Sequence, residues 1–178
     1  LSRNNIERYL VDGYILDTDK TGNLIYAGSH RRLCMNDVDP TAFSICDTNP
    51  SYAIPDGFVW KMNSSLVSIW GKEINGTGIE VVSAVGTDNQ DNVYLYGTFN
   101  SNAEFDGNIL VPVPAKSNAF VAKLNSGGNY AYVKQLSAED LYITEYPTDA
   151  EAPFAVDTKG NVFLGGAFAG TLNYYGNT

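Results

Sequence analysis

One pattern occurs three times in this chain, as Asp17–Ser29, Asp88–Phe99 and Asp157–Phe168: an acidic turn, an asparagine, then an apolar strand carrying a glycine. The turn asparagines Asn23, Asn92 and Asn161 stand 69 residues apart, and the strand glycines Gly28, Gly97 and Gly166 keep that interval. A fixed interval of this length means that the fold is an array of one unit.

The spacing divides the chain. Residues 1–13 lead in from a preceding unit, 14–78 form the first repeat, 79–147 the second, and 148–178 a partial third. Strands of the first repeat are expected at Tyr14–Leu16, Leu24–Ser29, Phe58–Asn63 and Leu66–Ile74, and those of the second at Ile79–Val85, Val93–Phe99, Phe120–Asn125 and Tyr130–Leu136. The later strands are offset by 62 residues instead of 69 (Phe58 to Phe120, Lys72 to Lys134), because the first repeat has a longer loop after its second strand. A longer link from Ser137 to Pro153 restores the interval, and Tyr174–Asn177 then falls in register with Phe105–Asn108.

Four short strands between turn signals suit a small antiparallel meander. Val93-Tyr94-Leu95-Tyr96 is apolar at every position, and side chains on a strand alternate between faces, so the sheet is covered on both sides. The fold class expected is all-β: repeated four-stranded antiparallel blades, β-propeller-like and incomplete at about two and a half units. A closed propeller has about four to eight blades, so the array is either closed by further blades or stacked openly in an assembly. A chain that starts at Leu1 without methionine is expected to be a mature or excised segment.

Twenty acidic residues against 11 basic give a net charge of −9, which repels nucleic acid and anionic membranes. No apolar run is long enough to span a bilayer.

The turns and strands resemble the SBBP-type β-propeller repeats of bacteria and archaea. Those repeats carry Asp-x-x-Gly-Asn-x-Tyr-x-x-Gly, matched here by Asp157–Gly166 (with Phe163 in the tyrosine place) and Asp88–Gly97 (with Asp91 in the glycine place). Their Phe-Val-x-Lys-Leu-Asn-x-x-Gly segment is matched by Phe120–Gly128. The first repeat departs through its long loop and through Trp60, where the second has Ala122. The resemblance implies surface or secreted repeat architecture and no shared catalytic motif.

Candidate sites are few. Asp17 and Asp19 sit at a tight turn with Gly22, as Ca²⁺ ligands do, but the spacing is not that of an EF-hand and an ordinary Asx turn is the stronger expectation. Asp37 and Asp39 are a weaker pair. Cys34 and Cys46 share the one extra loop and are expected to form a disulfide, which needs Cα atoms within about 7 Å and an oxidising compartment. His30, the single histidine, is expected in that loop with no nucleophile beside it. Glu139 with Asp140, and Asp149 with Glu151, read as solvated linker carboxylates. Trp60, Trp70, Tyr132, Tyr146 and Tyr174 could form a sugar-binding platform, although packing between sheets explains strand aromatics more simply. Asn63-Ser64-Ser65 and Asn75-Gly76-Thr77 are glycosylation acceptor patterns.

These features predict a non-catalytic extracellular structural or adhesive protein, associating with itself or with further blades of a longer chain. The alternatives are a carbohydrate-binding propeller module with glycan partners and a fragment of a propeller enzyme. No cofactor is expected beyond the Ca²⁺ candidate.

Overall fold

The computed structural model describes residues 11–30, 55–142 and 153–175. These residues form an all-β structure in which every strand pairing is antiparallel and no sheet closes on itself. The first repeat supplies β1 (Val11–Thr18), β2 (Leu24–His30), β3 (Asp56–Met62) and β4 (Ser68–Gly76) as a meander. The second supplies β5 (Glu80–Thr87), β6 (Val93–Phe99), a short hairpin of β7 (Ala103–Phe105) and β8 (Asn108–Leu110), then β9 (Ser117–Leu124) and β10 (Tyr130–Ala138). β11 (Asp140–Tyr142), inside the 79–147 span, pairs with a strand of the third repeat and is counted with it, and β12 (Phe154–Val156), β13 (Val162–Leu164), β14 (Ala167–Ala169) and β15 (Asn173–Tyr175) follow.

The repeat holds at the level of register. Thr18 faces Leu24, Thr87 faces Val93, and Val156 faces Val162, three equivalent pairs 69 residues apart. Leu24 pairs Met62 as Val93 pairs Leu124. Even the irregularity between Lys61 and Met62 recurs between Tyr130 and Tyr132 on the partner strand.

The turns explain why. Asp19 Oδ1 accepts hydrogen bonds from the amides of Thr21 (3.0 Å) and Asn23 (2.8 Å), and its Oδ2 accepts from Asn23 Nδ2 (2.8 Å). Asp88 does the same with Gln90 and Asn92, and Asp157 with Lys159 and Asn161. A carboxylate at the first position therefore fixes the loop, and the asparagine closes it. The fourth position has positive φ in every case: Gly22 at 82°, Asp91 at 60° and Gly160 at 83°. The later turn has its own cap, since Asn63 Oδ1 accepts from Ser65 and Val67, as Asn125 Oδ1 does from Gly127 and Asn129.

Two additions were not expected. The segment around Phe105 is a hairpin, not a loop, and β7 leaves its own repeat to pair with β4 through Asn75–Glu104 and Gly76–Ala103. The first sheet thereby grows to six strands, β1-β2-β3-β4-β7-β8. In the same way β15 pairs with β10 through Ser137–Asn173, making the second sheet β15-β10-β9-β6-β5. Asn75–Glu104 and Ser137–Asn173 are equivalent pairs, so the second repeat joins the first as the third joins the second.

The second sheet is buried on both faces, as its apolar strands require. Val93, Leu95, Phe99, Phe120, Ala122 and Leu124 pack against Ile25, Ala27, Val59, Trp70 and Ile74 of the first sheet. Tyr96, Ala119, Val121, Leu136 and Ala138 form a second cluster with Leu141, Phe154, Val162 and Leu164 of the third repeat. Gly97 is obligatory between these layers: a Cβ there would lie 2.1 Å from Val81 O and 2.4 Å from Phe120 Cζ.

The third repeat departs from the expected single strand over Val162–Phe168. It breaks at Gly165–Gly166, where the Gly165 amide donates to Pro153 O at 2.7 Å. Its strands form two small pairs, β11 with β14 and β12 with β13.

Candidate assembly interface

Among the described residues, the joints between repeats gather hydrogen bonds, an ion pair and close ring contacts. Trp70 on β4 donates from Nε1 to Ser126 O in the turn after β9, at 2.9 Å. Its ring lies beneath Gly128, where a Cβ would come within 2.7 Å of the indole. Thr87 Oγ1 lies within reach of Thr18 O (3.1 Å) and Asp17 Oδ2 (3.3 Å) across the same joint. Lys72 pairs with Asp106 of the β7–β8 turn. At the next joint the Asn89 amide donates to Thr158 O, and Gly160 sits against the hydroxyl of Tyr94.

A charged pair stabilises the first and second acidic turns from the neighbouring strand. Lys61 Nζ lies 2.7 Å from Asp19 Oδ2, with both side chains buried, and reaches Asp91 O of the second repeat at 3.4 Å. Burial alone would raise the Asp19 carboxyl, but Lys61, Asn23 and Thr21 hold it far below the usual carboxylate range. Lys123 takes the equivalent place beside Asp88 at 3.8 Å and lies 5.0 Å from the Tyr94 ring centroid. Asp88 is likewise lowered, against its burial, by Asn92, Gln90 and Tyr94.

This geometry decides what Asp17 and Asp19 do. They diverge: the Asp17 carboxyl takes the Thr18 amide (2.8 Å) and faces Thr87, while Asp19 takes an ammonium where a cation would sit. Among the described residues no three His, Cys, Asp or Glu side chains gather as metal ligands do.

His30 is not in a loop. It ends β2, fully buried, with Nε2 3.6 Å from Glu73 Oε1 and its ring 5.6 Å from that of Phe58. Glu80, also fully buried, shares a hydrogen bond with Asp56. Burial, then the neighbouring Asp56 charge, pushes the Glu80 carboxyl up to about 9. This acid pair joins β3 to β5 in the interior.

The other expected sites scatter. Cys34, Cys46, Asp37, Asp39, Tyr146, Asp149 and Glu151 lie outside the described residues. Asn63 caps its turn and Asn75 is an exposed residue of β4 paired with Glu104. Glu139 and Asp140 are not a linker: Glu139 accepts the Thr171 amide at 2.7 Å, and Asp140 opens β11 against Ala169. Of the aromatic candidates, Trp70 is core and Trp60 is half-buried, donating to Ser68 Oγ at 2.6 Å. Tyr132 and Tyr174 flank Lys134 at 5.1 and 5.3 Å. A groove of about 580 Å³ lies between β5–β6 and the Pro112–Asn118 segment, and no carboxylate lines it among the described residues.

The feature that sequence reasoning missed is the contrast between the second and third repeats. Tyr94, Phe99 and Phe105 are 0%, 3% and 0% exposed, while their equivalents Phe163, Phe168 and Tyr174 are 59%, 50% and 58% exposed. Phe105 and Tyr174 occupy the same repeat position, so the sequence pattern alone does not distinguish them.

Comparison with known proteins finds no matching family model and no matching curated protein. The likeness to SBBP-type repeats rests on the residues that carry it.

Proposed function

We propose that the chain is a non-catalytic structural or adhesive protein of the cell exterior, whose sheets are blades of a propeller-like or openly stacked array that assembles through its ends. The observation that carries this reading is the joint: the same strand addition in the same register links first repeat to second and second to third. A joint whose strand register recurs can recur again, and the exposed aromatics of the third repeat supply apolar surface for it. The acidic surface keeps such an array soluble.

Sedimentation velocity over a hundredfold concentration range tests the reading. Species larger than one chain should grow with concentration. A single species of one-chain mass throughout would overturn it.

The carbohydrate-binding reading has one observation in its favour, the exposed Tyr174 and Tyr175 beside Lys134. Glycan titration monitored by tyrosine and tryptophan fluorescence separates it from the first.

A further inference from the structure

We propose that Asn75 is a site of spontaneous deamidation, a chemical clock set into the strand pairing that joins the first repeat to the second. The site lies wholly within that joint and holds whether or not the chain associates.

An asparagine loses ammonia when the backbone nitrogen of the next residue attacks its side-chain carbonyl carbon. A side chain on that next residue hinders the attack, and glycine has none. Asn75-Gly76 is the single Asn-Gly step in the chain. Asn75 is exposed, and among the described residues no hydrogen bond holds its side-chain amide. In the reaction the bond from Gly76 N to Asn75 Cγ forms and the bond from Cγ to Nδ2 breaks. The Gly76 amide proton goes to solvent, and Nδ2 departs as ammonia. Water then opens the succinimide ring. Cleavage at Cγ gives aspartate, and cleavage at the main-chain carbonyl carbon gives isoaspartate.

The fold sets the pace and keeps the glycine in place. An extended strand turns the Gly76 nitrogen away from Cγ, so ring closure waits on local opening. Gly76 is the last residue of β4, and its pair with Ala103 is the last rung of the joint. Ladder ends open more readily than their centres. No larger residue fits at this position, because a Cβ on Gly76 would lie 2.3 Å from Glu80 Oε1 and 2.7 Å from Asn102 O. The packing of β5 against the end of β4 thus fixes the glycine that makes its neighbour labile.

The product acts on the joint. The pairing of β4 with β7 consists of Asn75 facing Glu104 and Gly76 facing Ala103. Aspartate at position 75 sets a second carboxylate directly opposite Glu104, and like charges so placed destabilise a strand pair. Isoaspartate also lengthens the main chain by a methylene, which throws the Gly76 rung out of register. At the equivalent pair of the second joint, Ser137 faces Asn173. Serine has no amide to lose, and Asn173 precedes Tyr174, whose side chain hinders the attack. Ageing therefore loosens the first joint and spares the second.

The test ages the intact chain in mildly alkaline buffer. Peptide mapping by mass, with chromatography that separates aspartate from isoaspartate, reads the product. Conversion is expected at Asn75 ahead of every other asparagine. It should be lost in Asn75→Gln, whose longer side chain must close a larger and slower-forming ring. The urea midpoint should fall as the converted fraction rises. Asn75→Asp, made directly, should lower the midpoint in the same direction, and Glu104→Gln added to that variant should recover it. Conversion no faster at Asn75 than at the other asparagines overturns the site. A midpoint unchanged by conversion or by Asn75→Asp, or a fall that Glu104→Gln leaves in place, overturns its action on the joint.

Discussion

Trp70 of the first repeat is tied to Ser126 of the second by a 2.9 Å hydrogen bond from the indole to a turn carbonyl. The bond crosses between two sheets and ends on a backbone that only glycine allows to come so close, because Gly128 lies flat on the ring. The joint is thus one large side chain received by one tight turn.

Removing that side chain should loosen the joint without dissolving either sheet. Trp70→Ala is expected to cost about 3–5 kcal/mol, and Trp70→Phe about 1–2 kcal/mol from the lost bond and smaller ring. Chemical denaturation checks both. A broadened or two-step transition in Trp70→Ala would show the sheets unfolding separately.

Lys61→Met should cost about 3 kcal/mol or more, because Asp19 stays buried after its counter-ion leaves. The acid limb of stability should move as well. Asp19 has a lowered pKa when folded, so its contribution is present above its ordinary value of 3.8 and is lost as pH falls through the folded value. Without Lys61 the folded value rises towards the ordinary one, and acid unfolding should begin at higher pH. Urea midpoints between pH 2 and 6 measure this.

Glu80 predicts the opposite slope. Its folded pKa is raised from 4.5 to about 9, so the native state holds a proton that the unfolded chain releases. Stability is fully present below pH 4.5 and declines as pH rises towards 9. Glu80→Gln keeps a hydrogen-bond donor beside Asp56 and should flatten the decline. An unchanged slope in the variant would assign the decline to another group.

Leu66→Gly should stabilise the protein by about 1 kcal/mol. Leu66 holds φ at 61° while two-thirds exposed, whereas its equivalent in the second repeat is Gly128 at 83°. The leucine therefore bears left-handed strain with little burial to offset it. Thermal melting of the variant gives the sign directly.

Much of this fold was legible in the sequence because its cause is local. Asp19, Asp88 and Asp157 each build a turn from their own neighbours, so the interval between them fixes strand pairing and register. The doubly apolar run at Val93–Tyr96 announced two covering layers, and both are there. The strand additions were not legible. Ala103–Phe105 and Asn108–Leu110 are short, and what makes them strands is the edge of β4 in another repeat. His30 read as a loop residue because the expected strand ended at Ser29, yet β2 runs on to it and Glu73 and Phe58 receive it inside. The exposure of Phe163 and Tyr174 depends on tertiary neighbours, which no local pattern records.

The borrowed strands β7 and β15 bear on ancestry. The second repeat gives β7 to the sheet of the first and receives β15 from the third, in the same register at both joints. Tandem duplication of a 69-residue segment would hand every new strand a neighbour that already fits it. Under such duplication the backbone register of one joint is inherited by the next, while the side chains at the joint remain free to diverge, as Trp70 and its equivalent Tyr132 have.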